Sequence, residues 1–195
     1  MRGRGRHKRF TLLLDLYACF LLPAYTLLFA DGVTWFGGNF SVRAVGGLDN
    51  YRGLLLLGAL LSVYYGLLLG SLAMTLPRPR LRLAEFWLLG LAVVSLLLGL
   101  PVPYLPQTYP ELAQLHTLLT FAASFWLMAA LLFLILAFRR EDGRYQALLR
   151  LWWAITGVSG ALFFAVGRIS GALEIFFVLS TVWLTRRLWL GRFQL

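Results

Sequence analysis

Lysine, histidine and cysteine are nearly missing from this sequence, and their scarcity excludes several chemistries. Lys8 is the only lysine and lies in a basic tail, so no retinal-type Schiff base is available inside an apolar helix. His7 and His116 are the only histidines, and His7 shares that tail. One internal histidine cannot hold a haem from both faces within one chain. With Cys19 as the single cysteine, the ligands for a His/Cys zinc site are too few, and no intramolecular disulfide can form. HExxH, GxSxG, a Walker loop and a dinucleotide fingerprint after a strand are all absent. The sequence therefore calls for no metal and no cofactor, and names no catalytic residue.

Charge is scarce as well. Charged residues make up 13% of the 195-residue chain and hydrophobic ones 60%. A soluble domain carries about 25% charge. A single all-α polytopic membrane domain is the direct reading. The net charge of +10 comes from 18 basic residues, all but Lys8 arginine. They lie between apolar runs, which suits loops beside anionic lipid head groups and argues against a nucleic-acid partner. The richness in Arg and Leu suggests a bacterial protein, hence the cytoplasmic (inner) membrane.

A hydrocarbon core about 30 Å thick needs roughly 20 helical residues. Six segments meet that length, at about 10–30, 54–76, 83–100, 112–138, 146–166 and 169–190. The first follows the basic tail like a signal peptide. It is long for an h-region and Leu28 spoils the cleavage pattern, so it reads as an uncleaved first span. The distribution of basic residues supports six spans with both termini cytoplasmic. The inner side then holds the five of the N-terminal tail; Arg78, Arg80 and Arg82; Arg139, Arg140, Arg144 and Arg150; and Arg186, Arg187 and Arg192. The outer side holds Arg43, Arg52 and Arg168. Five spans would put a basic loop on the wrong side.

Two outer loops follow from this topology. Residues 101–110 (PVPYLPQTYP) are stiffened by four prolines. Residues 31–53 are the longest polar interruption and are rich in glycine. Gly58, Ser62, Gly66 and Gly70 form a small-residue stripe on the second span. It serves contacts within the bundle, or a protein partner or a second copy.

Ionisable groups at membrane depth are costly, so each is a candidate for function. Asp15 is expected to pair with Arg186, Arg187 or the basic terminus. Tyr64, Tyr65, Thr120 and Ser124 are expected to bond helices. His116 and Glu174 sit at a common depth, about 6–8 Å below the outer ends of their helices. Arg168 and the 31–53 loop, with Asn39, Arg43 and Asp49, lie above them. One reading is a ligand-binding pocket of Asn39, Arg43, Asp49, His116, Arg168 and Glu174 open to the outer leaflet. The other is a salt-bridge network, Glu174 with Arg168 or Arg43, pinning the loop to the bundle. A Ser41–His116 hydrolase pair has only proximity at the outer face to recommend it.

Asn39-Phe40-Ser41-Val42 with Gly46-Gly47 resembles the Ser-x-x-Gly loop of a group of bacterial six-helix membrane proteins. Leu115-His116 and Phe121-Ala122 in the fourth span are similar to that group too. The group is linked distantly to the eukaryotic Frag/DRAM/Sfk type. The resemblance implies six helices and a role tied to membrane lipids, and supplies no catalytic residues. The leading expectation is a non-enzymatic protein that binds a lipid or amphiphile under the 31–53 loop. The alternatives are a structural subunit or assembly factor using the small-residue stripe, and a lipid-modifying enzyme with His116 as base.

Overall fold

A computed structural model describes residues 11–193, and among them the secondary structure is entirely helical. The helices are α1 (Thr11–Ala30), α2 (Phe40–Ala44), α3 (Leu48–Met74), α4 (Pro79–Gly99), α5 (Pro110–Arg139), α6 (Gln146–Val166) and α7 (Gly171–Phe193). Residues 1–9 of the basic tail lie outside the described residues.

Among the described residues, five helices are long and apolar enough to cross a membrane: α1, α3, α4, α5, and α6 with the turn before it. The remaining long helix, α7, has 23 residues but carries Glu174 near its start and Arg186, Arg187 and Arg192 near its end. The outer surface is apolar, with Phe164 83% exposed and Leu28 72% exposed. Water would not tolerate so broad an apolar belt, whereas lipid solvates it.

Three helices start earlier than their apolar runs. Pro79 and Pro110 open α4 and α5, where a missing N–H costs nothing. Helix α3 begins at Leu48 rather than near 54, with Asp49 in its first turn complementing the helix dipole. The expected 31–53 loop is therefore shorter, and it contains α2. In α1, Pro23 cannot donate a backbone hydrogen bond, and the turn before it widens into a π-helical stretch, Tyr17–Leu21.

Helices α3 and α5 form the centre, each with 44% of its apolar window buried, against 17% for α4 and α6. Side chains cross-tie the centre. The Tyr64 hydroxyl donates to the Val182 carbonyl at 2.9 Å, and Tyr65 bonds Thr181 Oγ1 at 2.7 Å. Thr120 and Ser124 instead donate to carbonyls of their own helix, at His116 and Thr120. Of the stripe's three glycines, Gly58 is the one tightly filled by the described residues. A Cβ there would lie 1.9 Å from Leu100 Cδ1, whereas none of the described residues lies within 4 Å at Gly66.

The two ends of the bundle differ. At one, Arg186 Nε meets Asp15 Oδ1 at 2.8 Å, and Arg192 Nη1 meets Glu141 Oε2 at 2.6 Å. The other, the loop end, carries residues 31–47, 100–109 and 167–170. There α6 stops at Gly167, whose φ of +72° is the left-handed conformation glycine adopts freely, and the chain reverses into α7.

Candidate functional site

The site lies at the loop end, where α2 and the start of α7 cap each other. Every helix start leaves backbone N–H groups without helical partners. In α7, the Gly171 N–H donates to the Gly38 carbonyl at 2.7 Å and the Ala172 N–H to the Trp35 carbonyl at 2.9 Å. In α2, the Val42 N–H donates to Asn39 Oδ1 at 2.8 Å. The Phe40 N–H donates to Glu174 Oε2 at 2.6 Å, so a side chain of α7 caps α2. Asn39 Nδ2 donates to the Ile169 carbonyl at 3.4 Å, and Arg168 Nη2 to the Phe36 carbonyl at 3.2 Å. Gly171 permits the close approach, since a Cβ there would lie 2.8 Å from Val33 Cγ1.

Beneath this stitching, His116 is 4% exposed and fully engaged. Its Nδ1 lies 2.9 Å from the Gly99 carbonyl and 2.8 Å from the Val102 carbonyl. Its Nε2 lies 2.7 Å from Ser41 Oγ. Carbonyl oxygens only accept, so Nδ1 carries the proton. In the neutral ring Nε2 is then the acceptor, and the Ser41 hydroxyl donates to it. Tyr104, from the proline-rich loop, stands with its ring centre 5.7 Å from the imidazole.

Two cavities adjoin here. The larger has a volume of about 790 Å³, with Asn39, Tyr104, His116 and Arg168 in its wall. Its wall reaches the apolar flank of the bundle at exposed Leu118 and Phe121 of α5 and Phe163 of α6. The smaller, about 160 Å³, lies between α3, α4, α5 and α7 and is lined mainly by leucine, valine and alanine. Ser41, Thr120 and Glu174 line both cavities.

The structure thus gathers Asn39, His116, Arg168 and Glu174 around one space. Arg43 and Asp49 do not line it. Arg43 turns away and stacks over the Phe29 ring at 5.4 Å, and Asp49 pairs with Arg52 at 3.6 Å on the exposed start of α3. The expected salt bridge of Glu174 with Arg168 or Arg43 is not among the ion pairs of the described residues, because the Phe40 N–H takes its carboxylate instead. Ser41 is the residue whose importance the sequence understated. Asn39 was its signal, a helix-capping residue that fixes where Ser41 points. Glu85 of α4 was overlooked as well. It is fully buried, and neither carboxylate oxygen has a hydrogen-bond partner among the described residues.

Comparisons with protein-family models, with curated proteins and with solved structures find no match.

Proposed function

We propose that this chain is a six-span membrane protein with both termini in the cytoplasm, and that its loop end holds a lipid or amphiphile in the outer leaflet of a bacterial inner membrane. The observation that carries this reading is a pair of adjoining cavities that share Ser41, Thr120 and Glu174 in their walls. One is wide, with Asn39, His116, Arg168 and Glu174 in its wall, and the other is narrow and apolar among the helices. A molecule with a polar head and an acyl tail matches that division, and an anionic head complements the exposed Arg168 guanidinium. The 15 to 3 distribution of basic residues supports the orientation.

Native mass spectrometry of the detergent-solubilised protein tests the reading. Wild type is expected to carry a bound amphiphile. Ala123→Phe, which fills the apolar cavity, should lose it. Arg168→Glu, on the exposed rim, should keep the fold and lose preference for anionic heads. Wild type free of amphiphile, or Ala123→Phe binding it as before with an unchanged melting temperature, would overturn the proposal.

A second reading, docking of another transmembrane helix on α3, has one observation in its favour. Gly66 has nothing within 4 Å of a built Cβ, and Gly70 has only Phe86 Cε1, at 3.9 Å. That half of the stripe is open to a backbone from outside the chain. Gly66→Leu should then abolish complex formation while leaving bound amphiphile unchanged.

A further inference from the structure

The geometry points to an acyl-transfer activity at this site. Ser41 is the nucleophile, His116 is its general base, and a long-chain acyl ester of a polar alcohol is the substrate. The inference rests on the amphiphile reading of the same cavities and adds chemistry to it.

The arrangement meets the requirements of an activated serine. Ser41 Oγ and His116 Nε2 are 2.7 Å apart, within the range for proton transfer. A base of this kind must be held in one tautomer by a third group. Here the Gly99 and Val102 carbonyls, at 2.9 and 2.8 Å from Nδ1, fix the proton there and leave the Nε2 lone pair for the hydroxyl. That is the orienting role a carboxylate plays in a serine triad, filled by backbone oxygens. Stiff prolines in the 101–110 segment help hold the Val102 carbonyl in place.

Location supports the same conclusion. Ser41 lines both cavities. An ester whose tail enters the apolar cavity and whose head occupies the wide one would carry its linkage past Ser41.

The balanced reaction has two halves. Ser41 Oγ bonds to the ester carbonyl carbon as Nε2 takes the hydroxyl proton. The carbon–oxygen bond to the alcohol then breaks, and the imidazolium returns that proton to the leaving oxygen. In the second half, water or a second alcohol attacks the acyl-serine, His116 takes its proton, and Ser41 leaves with it. With water, one ester becomes one acid and one alcohol. No oxidant, reductant or metal takes part.

The base must be neutral, so reactivity falls as pH drops and the imidazole protonates. The titratable or charged groups facing it are Tyr104 from the adjoining loop, and Glu174 and Arg168 across the cavity.

The test uses the full chain in detergent micelles and a dodecyl fluorophosphonate as probe. Mass spectrometry should find the adduct on Ser41 of the wild type, and no adduct in Ser41→Ala. His116→Gln should slow labelling about 100-fold or more, the scale of general-base catalysis. A second variant makes the result independent of how Ser41→Ala or His116→Gln folds. Ser41→Cys in a Cys19→Ala background should be alkylated faster than free cysteine, and that acceleration should fade at low pH. Wild type that is not labelled, or is labelled away from Ser41, overturns the acyl-transfer proposal. If that wild type still carries an amphiphile in native mass spectrometry, the binding reading survives alone. If it carries none, both fail.

Discussion

Glu174 shows how much one side chain can decide here. Its carboxylate caps α2 through the Phe40 N–H, and the residue also lines both cavities. Glu174→Gln keeps an acceptor and should fold normally, whereas Glu174→Leu strands the N–H and should cost about 1–3 kcal/mol, read from thermal unfolding in detergent. Asn39→Ala removes the other cap, at about 1 kcal/mol, and frees the segment that aims Ser41. Labelling at Ser41 should then drop more than stability does. Glu85 is the contrasting case, a buried carboxylate without a hydrogen-bond partner among the described residues. Glu85→Gln should leave the melting temperature unchanged or higher, because it removes a potential charge from an apolar site. His116 and Glu174 were legible because a residue's place along a long apolar helix can be read from the apolar run. Arg43 was not, because a loop has no such register. Once α2 forms, Ser41 and Arg43 lie ~200° apart around its axis, so only one can face the cavity.

At the scale of the element, apolar runs mark where lipid begins and not where hydrogen bonding stops. That is why five long apolar helices were legible while the start of α3 was six residues off. Asp49, Asn50 and Arg52 read as loop, yet they form a helix projecting beyond the apolar run. The prolines at 79 and 110 were better guides to helix starts than hydrophobicity. The glycines of α3 were read as one stripe, but spacing cannot say which of them meet a neighbour. Gly58→Ala forces Leu100 to move and should destabilise by about 1–3 kcal/mol, narrowing the apolar cavity that both residues line. Gly66→Ala meets nothing and should stabilise the isolated chain by about 0.5–1 kcal/mol. Parallel unfolding curves of the two variants check the contrast.

For the whole molecule, the six-span orientation makes its own prediction. In a Cys19→Ala background, cysteines placed at Gly46 and Gln107 should react with an impermeant maleimide added to intact cells, and one placed at Asp142 should react only after lysis. The opposite pattern would invert the proposed topology. The larger cavity reaches the flank of the bundle between Leu118, Phe121 and Phe163, a side that the belt of exposed apolar residues puts against lipid. An amphiphile arriving there would never leave the bilayer. Its occupancy would follow its mole fraction among the surrounding lipids, and diluting the whole preparation with buffer would leave the site as full as before.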